Sequence, residues 1–167
     1  MIKNYGRCGD SVIFPITSTD DYIFAAIDGV VNQIHKSRKE LIFIYDCKIK
    51  ERHKICSIAT STDQKYVFIT DNAIHLKSFS IEGLNSTIYN YGKVIKNGKL
   101  NLTSFIAVTP KFVFVAAENG HVLQYDITKQ TLFRNWGYVL DTLGCGISCI
   151  KVTDDFKYLF IASTDGG

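Results

Sequence analysis

One short apolar phrase occurs four times along the chain at almost constant intervals, and this repetition constrains the fold more than any other feature. Each copy holds an aromatic residue, a branched apolar residue and then Phe, and the copies are DYIFAAID at 21–28, KYVFITDN at 65–72, KFVFVAAE at 111–118 and KYLFIAST at 157–164. The copies follow one another at steps of 44, 46 and 46 residues. A constant step of this length is typical of a protein built from stacked structural repeats.

A second phrase keeps the same period, since NYG stands at 4–6 and 90–92 and NWG at 135–137. Before each copy of the first phrase comes an apolar stretch followed by a polar turn: VIFPI at 12–16, ICSIA at 55–59, SFIAV at 104–108 and ISCIKV at 147–152. Both segments are rich in the β-branched and aromatic residues that favour strands. The sequence therefore predicts antiparallel strand pairs in every repeat.

Turn signals follow the repeated phrase and predict hairpins to a third strand: Asp28-Gly29, Asp71-Asn72, Asn119-Gly120 and Asp165-Gly166. Such pairs accept the positive φ angles of tight hairpins. The clearest third strand is GHVLQYDI at 120–127, and TLFRNWGYV at 131–139 follows it as a fourth. Each complete repeat is thus expected to contain four short strands.

Four antiparallel strands per repeat of about 40–45 residues make the chain resemble the WD-repeat β-propeller family. Tyr125-Asp126 occupies the slot of that family's Trp-Asp pair, whereas Phe79-Ser80 and Ile34-His35 depart from it. The Gly-His pair that opens a typical repeat is absent, and His53 alone is roughly placed for it. The resemblance implies an all-β fold of divergent antiparallel four-stranded blades. It also implies a partial polar network in the second blade through His53, Thr70 and Asp71.

The repeat boundaries are expected near 12–54, 55–101, 102–146 and 147–167, with residues 1–11 forming the outer strand of another blade. This inventory amounts to about three and a half blades, while closed propellers typically contain 4–8 blades. We therefore expect residues 1–167 to be a partial β-propeller, a fragment of a longer one. An autonomous four-bladed protein is the alternative.

The repeat also predicts which side chains form the core. The aromatic residues Tyr22, Tyr66, Phe112 and Tyr158 should occupy equivalent positions in the second strand of each blade. Burial between blades is expected for Phe24, Phe68, Phe114 and Phe160. An incomplete propeller would leave exposed apolar flanks, expected at Val12, Ile13 and Phe24 on one side and at Leu159, Phe160 and Ile161 on the other.

Composition excludes several classes of function. The formal net charge of +3 is too small to indicate a nucleic-acid partner. No apolar run reaches the roughly 18–20 residues of a membrane helix, so no membrane partner is expected. The N-terminus MIKNYGRCGD has no apolar segment typical of a signal peptide, and the five cysteines are irregularly spaced. These features favour a reduced, cytoplasmic protein.

No catalytic motif occurs in the sequence, so we expect neither an enzyme nor a bound cofactor. Cys47, His53 and Cys56 come closest to a metal-ligand set, but their spacing matches no common zinc pattern. Structural roles are expected for all three. The favoured function is a protein–protein interaction scaffold. A ligand or catalytic site in the central channel is the alternative, although the innermost strands supply mostly Val, Ile, Ala, Ser and Thr.

Candidate binding residues follow from the loops that the repeat would place together. The loops from a fourth strand to the next first strand and those between second and third strands should share one face. The candidates for contact with a protein or peptide partner are Arg52, His53, Lys54, Asp71, Asn72, Lys96, Lys99, Glu118 and Asn119. No metal or catalytic residue is assigned.

Overall fold

A computed structural model describes residues 15–27, 29–49, 54–73, 75–81, 88–93, 104–117, 119–139 and 146–164. These residues form antiparallel β-sheets, three with four strands each and a fourth with two. Within the same residues no helix is long and apolar enough to cross a membrane. The expected all-β architecture of three complete blades and one half-blade is confirmed.

Each sheet is one blade, and its strands pair in chain order. The strands of blade 1 are β1 (Ile16–Ser18), β2 (Tyr22–Ile27), β3 (Val30–His35) and β4 (Glu40–Asp46). Those of blade 2 are β5 (Ile55–Thr60), β6 (Tyr66–Asp71), β7 (His75–Ser80) and β8 (Tyr89–Lys93). Blade 3 contains β9 (Ser104–Val108), β10 (Phe112–Ala117), β11 (His121–Asp126) and β12 (Thr131–Tyr138). Blade 4 contains β13 (Ile147–Val152) and β14 (Leu159–Ser163).

The turn between the first two strands of every blade is closed in the same way. A Thr or Ser hydroxyl accepts a hydrogen bond from the backbone N–H of the repeated aromatic residue, at 2.9–3.2 Å: Tyr22 to Thr19, Tyr66 to Ser61, Phe112 to Thr109 and Tyr158 to Thr153. Short polar side chains are common in turns because they bond nearby backbone groups in this manner. The four repeated aromatics are therefore equivalent, although Tyr158 lies one residue before β14.

Alternate residues of each second strand face opposite neighbours, as the two-residue period of a strand requires. Phe68 of β6 packs with Val113 and Val115 of blade 3, while Val67 and Ile69 of the same strand pack into the core shared with blade 1. Both faces of the strand are buried, which explains why the repeated phrase is apolar almost throughout.

The expected burial of the repeated Phe holds in part. Phe24 and Phe68 are fully buried, and Phe114 is half-buried against blade 4. Phe160 is 63% exposed, so its expected burial is wrong. It occupies the face that would meet a following blade, and no following blade lies in the described part of the chain.

The exposed flanks also differ from the expectation in their members. Phe24 points toward blade 2 and is buried, and Leu159 and Ile161 are half-buried against blade 3. Val12 and Ile13 lie outside the described residues. The exposed apolar side chains include Ile16, Leu41 and Ile44 on blade 1 and Tyr158 and Phe160 on blade 4. Side-chain alternation along each strand, rather than nearness to the flank, decides which residues are exposed.

The NYG and NWG phrases form bulges in the outer strands. The side-chain oxygen of Asn90 accepts a hydrogen bond from Gly92 N at 2.9 Å, and that of Asn135 accepts one from Gly137 N at 2.8 Å. Gly92 and Gly137 have φ angles of +87° and +68°. Only glycine adopts this conformation without strain, so the third letter of the phrase is determined by the backbone. The first NYG, at 4–6, lies outside the described residues.

Aromatic side chains of the outer strands pack against the next blade. The ring of Tyr91 meets Tyr125 of blade 3 edge-on, with centroids 5.7 Å apart. In blade 1, Tyr45 occupies the equivalent position, and its ring stacks on the ring of Phe79 of blade 2 with centroids 4.0 Å apart. The slot expected to hold the Trp of a Trp-Asp pair thus serves here as one half of an aromatic contact between blades.

The hairpin expected at Asp71-Asn72 is longer than the two-residue turn that the sequence indicates. Asp71 still belongs to β6 and pairs with Ile55, so the loop to β7 begins only at Asn72. The Asp71 carboxylate holds this wider loop by accepting hydrogen bonds from Ala73 N at 3.0 Å and His75 N at 2.9 Å.

Substitution of the same Phe in two blades tests the core. Phe68→Ala should lower the free energy of unfolding by about 3–5 kcal/mol, because a fully buried ring is lost. Phe160→Ala should change it by less than about 0.5 kcal/mol, because that ring is exposed. Urea unfolding followed by circular dichroism measures both. Equal losses at the two positions would contradict the assignment of the blade faces.

The flanks should make the 167-residue chain self-associate, since large exposed apolar faces and unpaired strand edges are association sites. Leu41→Lys should shift the population toward monomer in light scattering after size-exclusion chromatography. Leu132→Lys is the matched control, because Leu132 is similarly exposed but lies on the outer strand of blade 3. Association that is the same in both variants would exclude the blade 1 flank.

Candidate interaction faces

Two sets of loops meet on one face of the molecule. Lys54, just before β5, donates its N–H to Asn72 Oδ1 at 3.1 Å, and Asn72 N donates to the Lys54 carbonyl at 3.0 Å. Gly146 and Thr164 make the corresponding contacts in blade 4, at 3.0 and 2.8 Å. We call this surface the connecting face, formed in the described residues by 47–49, 54, 72, 119 and 146. Because each first strand starts there, the loops between blades and the loops after each second strand lie side by side.

The predicted binding residues divide into three groups. Lys54 is exposed, and Asn72 and Asn119 are half-buried, all on the connecting face. Asp71 is only 3% exposed. Arg52, His53, Lys96, Lys99 and Glu118 lie outside the described residues. The structure therefore brings Lys54 and Asn72 together and places Asp71 beneath them.

Asp71 is oriented toward the protein interior. Besides the backbone of its own loop, its carboxylate contacts His75 Nδ1 at 3.0 Å. Next to it, Thr70 Oγ1 accepts a hydrogen bond from Ser104 of blade 3 at 2.7 Å. In the described part of the expected network, Thr70 and Asp71 therefore contact Ser104 and His75. These contacts shape the loop that presents Asn72, so Asp71 affects the surface through the backbone.

A buried lysine supports the connecting face and was missed by sequence reasoning. Lys77 of β7 extends to blade 1, where its Nζ donates to the carbonyls of Cys47 and Lys48 at 2.7 and 3.0 Å. Lys48 itself is exposed, and its N–H donates to Asp46 Oδ1 at 2.9 Å. A lysine at an inward position of the strand HLKSFS was the signal that could have found this contact. Lys48 and Lys54 are the exposed cations that the described residues add to this face.

The cysteines of the considered metal set contact backbone groups. Cys47 Sγ donates to the Tyr45 carbonyl at 3.5 Å, and Cys56 Sγ to the Lys54 carbonyl at 3.6 Å. Burial raises the pKa of the Cys47 thiol to about 12, although the nearby Lys77 ammonium opposes this increase. Among the described residues, no group of three or more His, Cys, Asp or Glu side chains converges as a metal site would require.

The opposite surface, which we call the turn face, carries a cleft between blades 1 and 2. It is formed by the turns after the first and third strands, which include 19–21, 36–39 and 61–65. The cleft has a volume of about 480 Å³, with Gln33 and Tyr45 among the side chains that line it. The Tyr45 hydroxyl donates to Gln33 Oε1 at 2.5 Å, and burial raises the pKa of Tyr45 to about 12. Tyr45 therefore stays a neutral donor at physiological pH.

A related cleft of about 380 Å³ lies between blades 3 and 4, where the corresponding repeat positions hold Gln124 and Trp136. Trp136 Nε1 donates to Gln124 Oε1 at 3.2 Å, and the Arg134 guanidinium lies 4.1 Å from the Trp136 ring centroid. This cleft is open on one side because blade 4 has two strands in the described residues. Sequence reasoning found neither cleft, since both depend on how neighbouring blades pack.

Comparison with known proteins supports the fold. No family model matches the sequence, and no curated protein matches it. Among solved structures, the chain is similar to the β-propeller domain of Cps50 (Swd1) from Myceliophteria thermophila, with a TM-score of 0.69 and 14% sequence identity. The match covers 92% of this chain and 51% of that one, so the chain spans about half the length of the propeller it resembles. At this identity the likeness shows the β-propeller fold.

Thiol reactivity tests the buried environment of the connecting face. Cys149 is exposed on β13, whereas Cys47 is buried, and burial raises the pKa of its thiol to about 12. Because the thiolate is the reactive species, iodoacetamide at pH 8 should alkylate Cys149 at least about tenfold faster than Cys47. Peptide mass spectrometry over time measures both sites in one sample. Equal rates would contradict the packing around Lys77.

Proposed function

We propose that the chain acts as a protein–protein interaction scaffold that binds a protein or peptide partner through the connecting face. The observation that carries this proposal is the joining of two loop sets by the reciprocal Lys54–Asn72 hydrogen bonds. A rigid β-scaffold that gathers several loops on one surface commonly carries function in those loops. The likeness to a β-propeller domain supports the scaffold, and the loops determine what it binds.

The charge of the connecting face favours an acidic partner segment. Lys48 and Lys54 are exposed there, while the carboxylate of Asp71 is buried beneath them. Arg52, Lys96 and Lys99, which the sequence assigns to the same loops, would add positive charge. Complementary charge of this kind raises association rates and selects partners more than it raises affinity.

The alternative function, a ligand or catalytic site in the central channel, has no specific observation in its favour. The inner strands β5, β9 and β13 contribute residues such as Ser57, Ile106 and Ser148. None of these side chains titrates near neutral pH.

Charge reversal tests the connecting face. Arg52→Glu, Lys54→Glu and Lys99→Glu, introduced together, should reduce capture of a binding protein about tenfold or more, because three attractive charges become repulsive. Quantitative mass spectrometry of proteins captured from cell extract compares this triple variant with the unmodified chain.

The matched control reverses one Arg and two Lys on the turn face: Arg38→Glu, Lys129→Glu and Lys157→Glu. All three control side chains are exposed, so the control should unfold within about 0.5 kcal/mol per substitution of the unmodified chain. Urea unfolding of both triple variants checks that neither change disrupts the fold. Captured proteins lost with the first variant and retained with the control would support the connecting face. Equal capture by both variants would exclude it as the binding surface.

A further inference from the structure

A pair of side chains recurs in the outer half of each complete blade. A polar residue of the third strand faces the next blade. It forms a hydrogen bond with a Tyr or Trp side chain of the fourth strand. The pairs are Gln33 with Tyr45, Ser78 with Tyr91 and Gln124 with Trp136. Ser78 has a single hydroxyl, and this hydroxyl is hydrogen-bonded to Tyr91. A glutamine has a carbonyl oxygen and an amide NH₂ group, and its aromatic partner bonds only the oxygen.

Gln33 therefore has one polar group in the cleft between blades 1 and 2 that no described residue bonds. The residue is only 3% exposed, and its Oε1 is engaged by the Tyr45 hydroxyl. No atom of the described residues accepts a hydrogen bond from its Nε2, which reaches the surface of the cleft rather than being sealed in the core. A ligand that covers this amide without bonding it would leave it unsatisfied at a cost in free energy, whereas a ligand that supplies an acceptor avoids that cost.

The walls of the cleft suit an aromatic side chain. The rings of Tyr22 and Phe43 lie on the strands that flank Gln33 on either side, and both are half-buried. Aromatic rings whose centroids lie about 4.5–7 Å apart gain energy beyond the area that they bury. The volume of about 480 Å³ lies within the range of sites that hold small ligands, roughly 300–1,000 Å³.

The charges at the rim do not favour a charged ligand. Asp21 and Asp63 carry negative charge, and Lys65 carries positive charge. Asp63 is moreover held by its own turn, since it accepts hydrogen bonds from Ser61 Oγ at 2.6 Å and Lys65 N at 3.2 Å. The cleft thus offers aromatic walls, a rim of mixed charge and an amide N–H at its floor that no described residue bonds.

We propose that the cleft between blades 1 and 2 binds a tyrosine side chain presented by a partner protein. The ring would insert between the walls formed by Tyr22 and Phe43, and its hydroxyl would bond the free amide group of Gln33. A hydroxyl fits either orientation of the amide, because it accepts from Nε2 and equally donates to Oε1. Phenylalanine would fill the same space and leave the amide unsatisfied.

This inference rests on the proposed function in taking the ligand to be a protein. It places the contact on the turn face, opposite the connecting face. The two surfaces can therefore be tested independently with the same chain.

Ligand-observed saturation-transfer NMR on the 167-residue chain tests the proposal, since this method tolerates self-association. The probes are N-acetyl-tyrosinamide and N-acetyl-phenylalaninamide. The tyrosine compound should bind about tenfold more tightly, because its hydroxyl bonds the Gln33 amide that the ring covers, whereas the phenylalanine compound leaves that amide without a partner. Equal binding of the two compounds, or no binding of either, would overturn the proposal without any variant.

Two matched variants locate the site. Gln33→Leu should abolish the preference for the tyrosine compound, and Gln124→Leu, the same change in the more open cleft, should retain it. Loss of the preference in Gln124→Leu alone would overturn the assignment to blades 1 and 2. The Arg52, Lys54 and Lys99 triple variant should keep the tyrosine preference. If the tyrosine preference is absent but capture still depends on the charges of the connecting face, the cleft proposal alone is rejected. If the preference is present but capture does not depend on those charges, the connecting face alone is rejected.

Discussion

Packing of one blade against the next through alternate residues of the second strand is the constraint on which the structure depends. The position of Phe68 faces the following blade, and the neighbouring positions Val67 and Ile69 face the preceding one. A strand buried on both faces must be apolar along its length, because an unpaired polar group between two sheets would be costly. The same demand in every blade produces the repeated phrase and its even spacing.

Packing in the outer half of the blades depends on polar groups as well as on apolar area. Tyr45 stacks on Phe79 of blade 2 and at the same time donates its hydroxyl to Gln33. In the next interface, Tyr91 meets Tyr125 edge-on, and its hydroxyl is hydrogen-bonded to Ser78. The outer strands are therefore joined to the neighbouring blade by side chains that carry both a ring and a donor. Blades 1 and 3 carry a glutamine at the position that Ser78 occupies in blade 2, and each glutamine lines a cleft.

The two faces of the molecule differ in how they are built. The connecting face is held by hydrogen bonds between loops, with Lys77 bridging from blade 2 to the carbonyls of Cys47 and Lys48. The turn face is held by side chains that cap their own turns, and Gln64 bridges it to Asp20 through two hydrogen bonds of 2.8 Å. Rigid support beneath exposed loops reduces the entropy that such loops would lose on binding a partner.

The sequence by itself determined the strand order, the period and the blade type, because local preferences and the apolar pattern agree in every repeat. It also identified loops such as those of Lys54 and Asn72 as neighbours, since that follows from counting strands. It did not determine the exposure of Phe160, the inward turn of the Asp71 carboxylate or the free amide of Gln33. Each of these depends on which side chain of another blade lies opposite, and the residue pattern within one strand does not specify that side chain. The fold could therefore be predicted from the repeat period and its apolar pattern, whereas the clefts and the buried polar contacts were decided by the tertiary packing of one blade on the next.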